Sequence, residues 1–141
     1  MMESNTNTIF LAVAIVGLLL VVSAASWLAK KRFAKPDVKK FTERWNEAQK
    51  LCASKNTWPL AIINADKLLD DALKRTHYKG KTMGERLVAA QRNLTDNDSV
   101  WYAHKLRNKI VHEEYGDLKK RDVQKVLMGF RQALRDLGAL K

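Results

Sequence analysis

One short stretch of the chain, residues 104–112, concentrates side chains that could bind a phosphate and move a proton. Arg107 offers a guanidinium fork that matches phosphate oxygens, and His112 carries an imidazole, the side chain whose charge changes between about pH 5 and 8. Asn108 lies four residues before His112, so on a helix its amide is placed to orient that imidazole. At about 100° per residue, all three share one broad stripe with His104. The spacing predicts a helix with a phosphate-handling face and makes Arg107, Asn108 and His112 the candidate catalytic residues.

The composition argues against other kinds of reactive site. Cys52 is the single cysteine, which excludes an intramolecular disulfide and a cysteine-based zinc site. His104 and His112 are eight residues apart, which on a helix is about 12 Å and too far to share a metal ion. The sequence has no glycine-rich phosphate loop, G-x-S-x-G elbow or H-E-x-x-H motif. We therefore expect neither a metal nor a cofactor.

The same cluster also fits a structural role. In that interpretation Arg107 pairs with a carboxylate such as Glu113 or Asp66, and a buried Arg–Asn–His network fixes how the helices align. His104 is then a hydrogen-bonded interface histidine rather than an auxiliary catalytic group. Both interpretations remain open from the residues alone.

Five helices are predicted to position these residues. Apolar side chains at three- and four-residue spacing predict helices over about 38–53, 58–75, 82–94, 99–114 and 119–137. Thr82 with Glu85 fits a capping box, and Gly138 suits a helix end. The apolar helical positions of three tryptophans predict core or dimer anchors rather than base-stacking platforms, namely Trp45, Trp58 and Trp101. The predicted fold class is all-α, a bundle of about five helices.

An uncharged apolar stretch precedes the bundle. Residues 9–29 contain no charged side chain, and as a helix they extend roughly 31 Å, the thickness of a hydrocarbon core. We predict a retained single-pass transmembrane helix, with residues 1–8 as a short tail outside the cytoplasm. A cleaved secretory signal is the alternative, because small residues follow Val22. Against it, the leader lacks a positive charge and Lys30 follows the apolar run at once.

Residues 30–40 form a basic juxtamembrane linker with six Lys or Arg side chains and one Asp. The positive-inside rule places this linker and the helical domain, residues 41–141, in the cytoplasm, which predicts an inner-membrane protein. Lys30, Lys31 and Arg32 are candidates for contact with anionic lipid headgroups, although a stop-transfer flank is the simpler explanation. The whole chain carries a formal charge of +11, which permits a polyanionic partner.

The motif and its setting resemble a known family. Residues 107–112 have the form R-N-x-x-x-H and lie on the penultimate predicted helix, with an amphipathic helix after them. Over about residues 41–137 this arrangement resembles the HEPN domains. The segments Ala65–Asp70 and Tyr78–Leu87 also look like small HEPN-like bacterial proteins that carry an N-terminal membrane anchor.

The resemblance implies a metal-independent endoribonuclease site, assembled when two HEPN domains dimerise along their motif helices. Arg107 would hold the phosphate, Asn108 would hold the imidazole or the phosphate, and His112 from both chains would serve as acid and base. We therefore expect a homodimer that binds RNA, with RNA cleavage as a hypothesis and an unidentified protein regulator as a further candidate partner. Because many HEPN-like domains have no known catalysis, a non-catalytic protein- or nucleotide-binding module at the membrane is the second hypothesis.

Overall fold

The part of the chain that the structure describes is mainly helical. The structure is a computed structural model, and it describes residues 2–32, 35–113 and 116–141. Every regular element in those residues is a helix, so the predicted all-α fold class is confirmed. The unit Lys35–Lys141 is compact by itself, and the N-terminal segment forms a separate unit.

The N-terminal segment is one helix, α1, which spans Met2–Arg32. Within it, Thr6–Trp27 is long and apolar enough to cross a membrane, and none of the most apolar part of this stretch is buried inside the protein. This segment overlaps the predicted transmembrane helix at residues 9–29. The predicted lipid contacts of Lys30, Lys31 and Arg32 fall on side chains outside the described set.

The described residues of the unit Lys35–Lys141 contain five α-helices, the number that the apolar spacing predicts. They are α2 (Val38–Lys50), α3 (Trp58–Arg75), α4 (Met83–Ala90), α5 (Asn97–His112) and α6 (Lys120–Asp136). Two 3₁₀ turns, Leu51–Ala53 and Lys55–Thr57, connect α2 to α3. α4 is shorter than predicted and ends at Ala90 rather than near residue 94.

The starts of α4 and α5 follow from their capping side chains. The Thr82 hydroxyl accepts from the N–H of Glu85 at 3.2 Å, as predicted for a capping box. The Glu85 carboxylate accepts from the N–H of Lys81, one residue earlier than the box requires. Asp96 starts α5 two residues before the predicted position, because its carboxylate accepts from the N–H of Ser99 at 3.0 Å. Hydrogen bonds from the side chain and backbone of Ser99 lower the pKa of Asp96.

The core forms around α3, which packs against α2, α4, α5 and α6. Its fully buried positions include Ile62, Leu69 and Leu73. Trp45 is buried, and Trp58 and Trp101 pack half-buried against the same core. All three tryptophans therefore contribute to the core, the structural role predicted for them.

α5 and α6 pack closely against each other at Gly129. A Cβ atom added to Gly129 on α6 would lie 2.6 Å from the backbone oxygen of Ser99 on α5. Only glycine allows the two backbones to approach so closely. At the other end of α6, Gly138 adopts a φ of +68° and terminates the helix, as predicted.

We expect Gly129→Ala to lower the free energy of unfolding by about 1–3 kcal/mol, because the new methyl group would push α6 away from α5. Gly84→Ala is the matched control. A Cβ at Gly84 would meet Trp101 at 3.8 Å and the Thr82 hydroxyl at 3.9 Å, both ordinary contacts, so stability should be unchanged or raised by up to about 1 kcal/mol. Urea denaturation of the full chain in detergent, followed by circular dichroism, measures both. Equal losses in the two variants would contradict the close approach.

Candidate functional site

A buried carboxylate joins α3 to the candidate helix α5. Asp66 lies on the core-facing side of α3 and is only 3% exposed. Its Oδ1 atom accepts from Nδ1 of His104 at 2.9 Å. Its Oδ2 atom lies 3.1 Å from Nε of Arg107, an ion pair whose N–H is not aligned as a hydrogen bond. His104 and Arg107 are three residues apart, so one face of α5 presents both groups to one carboxylate.

Asn108 closes these contacts into a ring of four side chains. Its Oδ1 atom accepts from Nη1 of Arg107 at 3.0 Å, and its Nδ2 atom lies 3.3 Å from Nε2 of His104. The donors and acceptors agree with one another if His104 is neutral, with its proton on Nδ1 toward Asp66 and its Nε2 accepting from Asn108. We call this cluster the Asp66 ring: Asp66, His104, Asn108 and Arg107.

The Asp66 ring decides between the sequence-based expectations for Asn108 and Arg107. The helical spacing predicts that Asn108 orients His112, but in the structure the amide contacts His104, its other neighbour four residues away. Of the two carboxylates proposed for Arg107, Asp66 forms the pair, whereas Glu113 is exposed beyond the end of α5. The structure thus brings Arg107 and Asn108 together.

His112 lies outside the ring, as the exposed last residue of α5. Val111 beside it is 45% exposed. The carboxyl-terminal turn of α5 therefore offers both an imidazole and an apolar side chain to solvent. Both are available to a second molecule.

The central role of Asp66 has a signal in the sequence. The apolar spacing of α3 places Ile62, Ala65, Leu69 and Leu73 toward the core, and Asp66 follows Ala65 on that same side. A carboxylate on a core-facing stripe needs a charged or hydrogen-bonding partner, because burying it alone is prohibitively costly. Asp66 therefore points to a partner on a neighbouring helix.

The ring forms one wall of a cleft of about 480 Å³ between α3, α4 and α5. Lys67 and Lys81 also line the cleft and are exposed. Arg86 is buried and fixed, since Asp70 pairs with it at 2.6 Å and the carbonyl of Gly80 accepts from it. The cations free to meet a ligand are therefore the two lysines and the outer part of Arg107.

Arg107 is held in place by its neighbours and is still partly exposed to solvent. Asp66 and Asn108 hold two of its nitrogens, yet its side chain is 25% exposed. Within the described residues no hydrogen bond occupies its Nη2 atom. A guanidinium held in this way is preorganised to bind an anion, because little side-chain entropy is lost on binding.

Within the described residues, no group of three or more His, Cys, Asp or Glu side chains is arranged to hold a metal ion. Comparison of the chain with protein-family models, curated proteins and solved structures finds no match.

We expect Asp66→Ala to lower the free energy of unfolding by about 3 kcal/mol, because it leaves His104 and Arg107 without their shared carboxylate. Asp71→Ala is the control on the same helix. Asp71 pairs with Arg44 at 2.8 Å, but both side chains are about 40% exposed, so the loss should stay below about 1 kcal/mol. Denaturant titration of both variants checks the difference. If Asp66→Ala lowered the free energy of unfolding no more than Asp71→Ala, the Asp66 ring would not contribute strongly to stability.

Proposed function

We propose that this chain is a single-pass inner-membrane protein whose helical domain faces the cytoplasm, forms a homodimer and binds RNA at the outer face of α5. We further propose that the dimer cleaves RNA without a metal ion. The observation that carries the proposal is Arg107, a guanidinium fixed by Asp66 and Asn108 and still open to solvent. The resemblance of the R-N-x-x-x-H motif to HEPN domains supports the same assignment.

Phosphate binding follows from the charges around Arg107. A guanidinium fork is complementary to two phosphate oxygens, and exposed Lys67 and Lys81 line the same cleft. The whole chain carries a formal charge of +11, which favours association with a polyanion. In this proposal Asn108 and Asp66 position the guanidinium, and neither touches the RNA.

Cleavage would use the exposed His112. One imidazole takes the proton of the ribose 2′-hydroxyl, whose oxygen attacks the phosphorus, and a second imidazole protonates the departing 5′-oxygen. Arg107 stabilises the charge that develops on the phosphorus oxygens, and the product is a 2′,3′-cyclic phosphate. Each chain supplies one His112, so the reaction needs a second copy, and exposed Val111 offers that copy an apolar contact.

A second function is favoured by the closure of the Asp66 ring within one chain. Asp66 and Asn108 occupy both ring nitrogens of His104 there, so its imidazole is not free for proton transfer. The alternative is a non-catalytic module that binds a protein or a nucleotide at the same face. Such a module would recognise its ligand by the shape and charge of the cleft beside Arg107, and His112 would have no role.

RNA cleavage is tested with the purified full chain in detergent, mixed RNA and excess EDTA. We expect cleavage to persist in EDTA and to fall by about 10²–10⁴-fold in His112→Ala, which removes the acid–base group. Arg107→Lys should also lose most activity, because an ammonium keeps the charge but not the fork. The matched control is His77→Asn, which removes a different histidine and should leave cleavage unchanged. Asparagine is chosen because His77 has a φ of 72°, a conformation that asparagine tolerates.

The two functions separate in the same assay. The non-catalytic module predicts a wild-type protein that binds RNA or another ligand and leaves RNA intact from about pH 5 to pH 9. Sedimentation of the same sample reports the oligomeric state, and a chain that stays monomeric at high micromolar concentration removes the basis for a composite site.

The membrane topology makes a separate prediction. With α1 retained and the basic linker in the cytoplasm, protease added to intact spheroplasts should leave Lys35–Lys141 uncut, and lysis should expose it. A tag placed after Lys141 reports the fragment by immunoblotting. Digestion without lysis, or a mature chain that begins near Ala25, would contradict the anchored topology.

A further inference from the structure

A second concave surface lies on the unit Lys35–Lys141, between α2 and the end of the chain after α6. It is a groove of about 510 Å³, and it shares no lining residue with the cleft beside Arg107. Buried Trp45 and Leu140 supply its apolar surface. We call it the α2 groove.

Trp45, one of the residues that line the α2 groove, carries a buried donor that lacks an acceptor. Trp45 is 4% exposed, and its indole nitrogen has no hydrogen-bond partner among the described residues. Trp58 shows the usual arrangement, since its indole N–H donates to the carbonyl of Cys52 at 3.0 Å. An unpaired buried N–H destabilises a protein, so an oxygen atom of a bound molecule would relieve a real cost at Trp45.

The charged residues of the groove favour an anion. Lys39, Arg131 and Lys141 line it, and Glu43 is its single carboxylate side chain. Lys39 and Arg131 form no ion pair with any described residue, whereas Arg44, on the same helix α2, pairs with Asp71. The groove thus combines apolar surface, an unsatisfied N–H and an excess of unpaired cations.

Only a short stretch of chain joins the apolar helix α1 to α2, which lines the α2 groove. Five residues, 33–37, separate the end of α1 from the start of α2, and five extended residues reach at most about 18 Å. Lys39 lies in the first turn of α2. Whatever bilayer α1 crosses is therefore a concentrated local source of amphipathic anions for this groove.

We propose that the α2 groove binds the headgroup region of an anionic phospholipid, an inference that rests on the membrane anchoring proposed above. Lys39 and Arg131 receive the phosphate, Trp45 donates to a phosphoryl or ester oxygen, and Leu140 packs against the glycerol and first methylenes. Indole groups commonly occupy this position at membrane interfaces, because one part of the ring is apolar and the N–H is polar.

Native mass spectrometry of the full chain in detergent, titrated with phosphatidylglycerol or phosphatidylcholine, tests the proposal. We expect tighter binding of phosphatidylglycerol. The double variant Lys39→Gln/Arg131→Gln should weaken that binding about 30-fold, at about 1 kcal/mol per basic residue. The control Lys105→Gln/Lys120→Gln removes the same charge from exposed sites elsewhere and should weaken lipid binding much less. Comparing the two double variants also controls for lipid that binds to α1 or its linker, since both variants keep those segments.

Two tryptophan variants separate binding from stability. Trp45→Phe removes a donor without a partner, so phosphatidylglycerol binding should weaken about tenfold. The smaller ring also leaves a cavity at this buried position, so thermal stability should fall as well. Trp58→Phe breaks the hydrogen bond to Cys52, so thermal stability should fall while lipid binding holds.

Several results would overturn the proposal. These are equal affinity for the two lipids, equal loss in the two double variants, and unchanged lipid binding in Trp45→Phe. Soluble glycerol 3-phosphate that binds as tightly as the lipid would instead assign a free-phosphate site. Because none of these readouts involves RNA, a failure of the RNA proposal leaves the lipid result unaffected.

Discussion

The arrangement of α5 depends on one constraint, the burial of the Asp66 carboxylate in the core of the bundle. A desolvated carboxylate without partners costs several kcal/mol, so α3 and α5 can pack only in a register that supplies donors to it. His104 and Arg107 meet that need, and Asn108 links the two on their outer side. Moving α5 by one residue along α3 would turn both donors away from the carboxylate.

Joining two helices through a buried ion pair costs desolvation free energy. Apolar side chains of similar volume often hold helices together equally well or better, because ions lose their hydration on burial. The Leu- and Ile-rich surface of α3 shows that the rest of this bundle relies on apolar packing. The Asp66 ring is therefore better explained by what it does to Arg107, whose outer nitrogen it holds in one place at the opening of a cleft, than by stability alone.

Local sequence patterns predict most of the fold, and they fail where distant residues decide. The apolar periodicity locates all five helices of the bundle, but Leu94 fits the pattern of α4 and is buried without being helical. The Asn97 amide donates to the carbonyls of Gln91 and Leu94 in this turn after α4. On α5, Asn108 has helical neighbours on both sides, and only Asp66, 38 residues before His104, selects His104 as its partner.

The α2 groove and the cleft beside Arg107 draw on separate sets of cations. That separation matters for a domain that is proposed both to be anchored to a membrane and to bind RNA. An anionic bilayer attracts basic side chains and repels RNA within a Debye length, about 8 Å at physiological salt. Were the same cations to serve both ligands, lipid would displace RNA. Lys39 and Arg131 line one surface and Lys67, Lys81 and Arg107 line the other, so occupation of the groove by lipid would leave the phosphate-binding cations of the cleft available.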